Sequence, residues 1–204
     1  MQPDQMGDKG FFPVFRRIDA WLQSAANAGK TFLVAIEGPC GSGKSTLSRR
    51  LQDVYGDDAN IFHMDHFFLP ETLRTPGRLS EPGGNIDYAR FREEVAGGLR
   101  RGEPFQYRIY DCSIRQLADT VQVGPRPLAI IEGMYSMHPA LGLPYDLRVF
   151  LSLSKAEQLR RILERSGPEM LERFVQEWIP MENRYFEAMK IPEQCDLILG
   201  EPYH

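Results

Sequence analysis

Residues 38–45 read Gly38-Pro39-Cys40-Gly41-Ser42-Gly43-Lys44-Ser45, which satisfies G-x-x-x-x-G-K-[ST] at every fixed position. No other feature narrows the fold and chemistry of the chain as far. With average residue usage, a chain of 204 residues meets this pattern by accident about once in a hundred times. The context makes accident rarer still. TFLVAI (31–36) precedes the loop as a short apolar run of the buried-strand kind, and KSTLSRRLQDVY follows it as a helix, which is the order the motif requires. Glycines let backbone N–H groups turn inward around a phosphate with no side chain in the way. The helix opening near Lys44 aims its positive dipole end at the same place. Lys44 can bridge phosphate oxygens, and the Ser45 hydroxyl can ligate Mg²⁺. The expected phosphate site is Gly38, Gly41, Ser42, Gly43, Lys44, Ser45 and Thr46. Its ligand is ATP or another nucleoside triphosphate, with Mg²⁺.

Around this loop, strands alternate with helices. Residues 13–28 carry apolar side chains at helical spacing, with Gly29 as a stop. NIFHMD (60–65) reads as a second strand. Residues 69–86 form a long loop rich in Pro and Gly, of the kind that is often functional. Asp87 is placed to cap a helix over 88–101. FQYRIY (105–110) and ADTVQV (118–123) pair as a hairpin within an insertion at 105–124. PLAIIEG (127–133) and DLRVFLSL (146–153) are buried strands, 155–165 and 169–189 are helices, and CDLIL (195–199) is a last strand. Apolar runs of this sort predict an α/β fold: a five-stranded, mostly parallel sheet with helices on both faces, as in P-loop proteins. No linker or repeat divides residues 1–204, so one domain is expected, with 1–10 disordered.

Composition limits what the chain can do. Apolar residues make up 42%, charged residues 25%, and the formal net charge is −4. That balance is unlike a duplex-binding protein, and no nucleic-acid partner is expected. No apolar run reaches the ~20 residues that span a bilayer, and the N-terminus lacks the pattern of a signal peptide. The three cysteines, Cys40, Cys112 and Cys195, form no C-x-x-C pair, which fits a reducing cytoplasm. The sequence allows a homo-oligomer without requiring one.

A P-loop site needs a carboxylate at the end of a neighbouring strand to assist the metal. Glu132 stands where PLAIIEG runs out, at the carboxyl edge where open parallel sheets bind ligands. Asp65 ends NIFHMD beside the same crevice, suited to accept a proton from an attacking hydroxyl. Arg160, Arg161 and Arg165 lie near the end of a helix, and Arg161 and Arg165 share a face, where cations can spread over a transferring phosphoryl group. His63, His66 and His138 have no metal-ligand spacing and are expected to be structural or to support a site residue from behind. Trp21 and Trp178 are expected in the core. The stretch Met181–Tyr185 has no role in this reading.

The loop together with HMDHFF (63–68), NIDYARF (85–91), YRIYD (107–111), IIEGMY (130–135) and the Arg-rich helix 157–165 resembles uridine kinases, within the uridine kinase/phosphoribulokinase/pantothenate kinase group. The resemblance spans roughly residues 31–200 and implies phosphoryl transfer to the 5′-hydroxyl of a nucleoside. It implies Asp65 as the acceptor-side base, Asp87 toward the ribose hydroxyls, Tyr110 against the base, and a short lid at 160–175 carrying Arg161 and Arg165. One departure stands out. After the Tyr-Asp pair, uridine kinases carry a histidine that reads the pyrimidine, whereas this chain has Cys112-Ser113-Ile114-Arg115-Gln116. Arg115 can take the histidine's place or face a carboxylate or phosphate. Other small acceptors, pantothenate or a sugar phosphate, therefore stay open. So does a nucleotide-binding regulatory switch, although the chain has no N-K-x-D tetrapeptide, and so does an ATPase module of a larger machine.

Overall fold

The computed structural model describes residues 10–201, so most of the segment expected to be disordered lies outside the described residues. Five strands make one sheet: β1 (Phe32–Glu37), β2 (Ala59–His63), β5 (Leu128–Glu132), β6 (Leu147–Ser152) and β7 (Leu197–Gly200). Their spatial order is β2-β5-β1-β6-β7, and every pairing is parallel. The hairpin of β3 (Phe105–Asp111) and β4 (Gln116–Val123) stands apart as an antiparallel pair.

The apolar runs follow from burial on both faces of the sheet. Val34, Ile36, Leu128 and Ile130 point to one side, where they pack with Val14 and Ile18 of α1 (Phe12–Leu22) and with Leu47 and Leu51 of α2 (Lys44–Tyr55). Ala35, Ala129, Ile131 and Phe62 point to the other side. There they meet Phe91 of α4 (Tyr88–Phe91), Tyr107 of the hairpin, and Tyr185 and Phe186 of α7 (Ile179–Met189). Each fully buried side chain of this size contributes about 1.5–3 kcal/mol relative to exposure.

Several boundaries differ from the sequence reading. Helix α1 ends at Leu22 rather than near residue 28, because the Asn27 side-chain amide donates to the Trp21 carbonyl (3.0 Å) and draws Ala25–Asn27 into a separate 3₁₀ turn. β2 stops at His63, and Met64–Phe67 form a 3₁₀ turn, so Asp65 lies just beyond the strand and not at its end. The long loop contains a 3₁₀ turn at Glu71–Leu73 and a short helix, α3 (Pro76–Ser80). The helix expected over 88–101 passes through a π turn at Arg92–Ala96 between α4 and α5 (Gly97–Arg101). The two late helices are joined. α6 (Lys155–Arg173) kinks at Gly167, whose φ of 79° is easy only for glycine, and a π turn at Phe174–Trp178 leads into α7. Among the described residues, no helix is long and apolar enough to cross a membrane.

Candidate active site

The phosphate loop joins β1 to α2 at the carboxyl edge of the sheet, where β1 has a neighbour on each side. Gly38 has φ 145°, and a Cβ there would meet the Leu151 carbonyl oxygen at 2.1 Å, so only glycine lets the loop lie this close to β6. Lys44 Nζ donates to the carbonyls of Gly38 (2.7 Å) and Pro39 (3.0 Å), which lays its stem across the loop. Ser45 and Thr46, in the first turn of α2, are exposed at its mouth.

Two carboxylates stand beside the loop on the β2–β5 side. Glu132 pairs in register with His63 across β2–β5. Its side chain is only 6% exposed, and Oε1 lies 2.5 Å from His63 Nδ1. Its other oxygen, Oε2, is buried with no partner among the described residues. A buried carboxylate oxygen without a donor is costly unless something else occupies it, and together with the Ser45 hydroxyl this donor set fits a hard cation such as Mg²⁺. Hydrogen bonding to Glu132 raises the pKa of His63. Asp65 is open to solvent along the crevice while protein crowds its other sides. That partial desolvation, with the negative charge of Glu132, raises its pKa, and Lys44, His63 and Arg165 pull against the rise. Burial lowers the neighbouring His66 to about 4, so it is neutral at pH 7. Its Nδ1 lies 3.3 Å from the Tyr107 hydroxyl.

Of the residues expected on the acceptor side, the segments of Asp65 and Asp87 are joined by backbone pairing. Phe68 bridges Ile86, Leu69 N–H donates to Asn85 O, and Asp87 N–H donates to Phe67 O (both 2.8 Å). This short ladder sets the Asp65 turn beside the Asp87 block. Asp87 caps α4 by accepting from Arg90 N–H (3.0 Å). Tyr110 is buried in β3, and its hydroxyl has no partner among the described residues. Arg115 is at the hairpin tip with φ 55° and pairs with Glu71 (2.7 Å), both side chains more than half exposed.

From α6, Arg161 Nη1 donates to Gly41 O (3.2 Å), and Arg165 Nη2 lies 3.3 Å from Cys40 Sγ. Both predicted lid arginines therefore touch the loop. Arg160 does not; it pairs with Glu157 and Glu164 on its own helix. Arg161 shares Glu157, and these guanidinium hydrogen bonds lower Glu157 to about 2.

Sequence reasoning missed three residues here. Glu37, at the end of β1, is fully buried and accepts from Tyr135 N–H (2.6 Å), Met137 N–H (2.8 Å) and the Tyr185 hydroxyl (3.2 Å). It thereby ties the chain after β5 to the root of the phosphate loop. Burial pushes it up to about 8 against those donors. It carried the same strand-end signal as Glu132 and could have been found by it. Arg90, 7% exposed, donates to the carbonyls of His66 and Arg108 (both 2.6 Å), and its guanidinium lies 4.4 Å from the centre of the Phe67 ring. His63 was not missed: it bonds Glu132, the expected metal-side carboxylate, a supporting place of the kind the sequence left open to it. Glu182 lies in the stretch that had no role and reaches the phosphate loop. A charged residue in helical register with buried Ile179 and Tyr185 was its only signal.

No family model matches the chain. It is 25% identical over 197 residues to uridine kinase of Geobacillus sp. (strain WCH70), covering 86% of this chain and 88% of that protein. Among solved structures it is similar to a possible uridine kinase from Bacillus stearothermophilus (18% identity, TM-score 0.66, 91% of this chain and 98% of that one). It is also similar to a candidate fructose transport system kinase from Silicibacter sp. TM1040 (24% identity, TM-score 0.71, 91% and 97%). At these identities the solved structures speak for the fold. With a complete phosphate loop on a P-loop kinase fold, the chain is similar over most of its length to uridine kinases and related P-loop kinases.

Proposed function

We propose that the protein transfers the γ-phosphate of ATP, with Mg²⁺, to the 5′-hydroxyl of a nucleoside. The observation that carries this reading is Asp65: a solvent-reachable carboxylate on the turn after β2, on which the charges of Lys44, Glu132 and Arg165 all act. The loop amides of residues 41–46 and Lys44 hold the β- and γ-phosphates. The acceptor oxygen attacks the γ-phosphorus, its bond to the ADP oxygen breaks, and Asp65 takes the hydroxyl proton as the new bond forms. Arg161 and Arg165, already against the loop, offset the charge of the transferring group. Ser45 and the free oxygen of Glu132 are the groups that would hold Mg²⁺, which when bound offsets phosphate charge. On the acceptor side, Asp87 faces the ribose hydroxyls, and Tyr110, with its unpartnered hydroxyl, faces the base.

A second reading keeps the kinase and changes the acceptor to a sugar, a sugar phosphate or pantothenate. It is favoured by the missing histidine after Tyr110-Asp111 and by the exposed Arg115 in its place. A radiolabelled-ATP transfer screen over nucleosides, sugars, sugar phosphates and pantothenate separates the readings. Nucleoside 5′-monophosphate as the main product supports the first. Transfer only to an anionic or sugar acceptor replaces it with the second.

A further inference from the structure

The outer corner of the phosphate loop, Cys40–Gly41, is gripped from outside the motif. Glu182 of α7 is 5% exposed, and its Oε2 accepts the backbone N–H of Cys40 at 3.0 Å. The same oxygen lies 3.4 Å from Nε2 of Gln158, a buried residue of α6. The Cys40 side chain packs on the small apolar cluster of Ile162, Phe174 and Ile179 that joins α6 to α7. The backbone of Gly41 lies so close to α6 that a Cβ there would meet Arg161 Cβ at 3.6 Å.

A buried carboxylate is expensive to keep unless its partners repay it. A well-packed apolar side chain would fill the same space at no such cost. Here the partner that comes from outside the two helices is a single amide of the phosphate loop. That amide precedes the amides of residues 41–46 expected to cradle the phosphates, so it is free to serve as an anchor. Burial raises the pKa of Glu182, while Lys44, the Cys40 amide, Gln158 and Arg165 pull it down, so the loop's cation and a lid cation both bear on this group.

We infer that Glu182 is a positioning residue for nucleotide binding: by holding the Cys40 N–H it fixes the outer corner of the phosphate loop against α6 and α7, so that the amides after it present one preformed anion cradle. It acts through the loop and touches no reacting atom. The inference rests on the nucleotide site proposed above but not on the identity of the acceptor.

The test is equilibrium binding of ADP with Mg²⁺ to the full chain, followed by calorimetry, beside a thermal unfolding curve for each variant. Glu182→Met keeps the volume and removes the acceptor. It should unfold cooperatively and bind ADP about 10- to 100-fold more weakly, the range expected for losing a hydrogen bond to a charged group. Glu182→Gln keeps an oxygen facing the Cys40 amide and should stay within about threefold of wild type. Glu182→Ala, run in parallel, covers the case in which methionine does not pack. A folded Met or Ala variant that binds ADP as wild type does overturns the inference, and so does a Gln variant as weak as Met. Failure of the wild-type chain to bind ADP at all would instead strike the nucleotide site itself.

Discussion

The proposed phosphate side of the cleft is one unbroken stretch, residues 38–46, whose donors would be mostly backbone amides and one lysine. The proposed acceptor side is gathered from separate segments: Asp65 on a 3₁₀ turn, Asp87 at a helix cap, Tyr110 on a strand and Arg115 at a hairpin tip. The first needs only a strand, glycines and a helix start to take shape. The second needs the Phe68–Ile86 ladder and the buried Arg90 to bring its parts together. The contrast teaches that triphosphate chemistry is fixed locally in such a chain, whereas choice of acceptor rests on contacts between distant segments. Variants on the two sides should therefore fail in different ways.

The largest effect is expected on the phosphate side. Lys44→Ala should reduce phosphoryl transfer by about 10³–10⁵-fold, the range for removing a cation from the transferring phosphoryl group. Its Tm should stay near wild type, because among the described residues the hydrogen bonds of the lysine side chain go to carbonyls of its own loop. Measurable turnover by a folded Lys44→Ala enzyme would remove the loop from the mechanism and erase the contrast.

Next comes Asp65, the acceptor-side residue nearest the chemistry. Asp65→Asn should lower kcat by about 10²–10⁴-fold while ADP affinity holds, since the residue meets the acceptor and not the phosphates. Its raised pKa gives a sign to two further readouts. Activity that needs the carboxylate ionised should fall with decreasing pH through a value above the ordinary 3.8. A carboxyl whose folded pKa lies above its unfolded one contributes stability that is full below the unfolded value and is lost as pH rises through the folded one. Asp65→Asn should accordingly be at least as stable as wild type at pH 7. A purely capping role would show the reverse: lower Tm and unchanged kcat.

Arg90 tests the assembly of the acceptor side. Arg90→Met leaves the carbonyls of His66 and Arg108 without their donor and Asp87 without its cation, while Glu94 keeps Arg108. That should cost about 3–5 kcal/mol in chemical denaturation. In the folded fraction, KM for the acceptor should rise about tenfold with ADP affinity unchanged. Equal losses on both sides would mean the two regions are not separable.

The smallest effect belongs to Arg115. Its exposed pair with Glu71 contributes at most about 1 kcal/mol, so Arg115→Ala should leave Tm nearly unmoved. With a nucleoside acceptor its KM should change less than about threefold, the size of an exposed ion pair. A much larger rise, seen only with an anionic acceptor, would turn Arg115 into the specificity residue.

Much of the fold could be read from the sequence because burial leaves a periodic trace. The apolar runs at 31–36 and 127–133 gave two central strands within a residue or so at either end, and Asp87 marked the start of its helix by cap chemistry alone. The end of α1 at Leu22 was not legible, since it depends on the Asn27 side chain reaching back to a carbonyl. Nor was the turn that carries Asp65 past the end of β2, which is set by pairing with residues around Ile86.

By itself the sequence determined the phosphate loop, the strand–helix alternation and the acids at the carboxyl edge, because each is written in adjacent residues or in a short repeat. The tertiary structure alone decided that Glu132 bonds His63, that Glu37 ties the chain after β5 to β1, that Arg90 braces the acceptor turn, and that Glu182 reaches Cys40 across 142 positions of chain. A charged side chain in a buried helical register announces that it must find a partner. Which partner it finds depends on where other segments pack, and neither composition nor periodicity encodes that position.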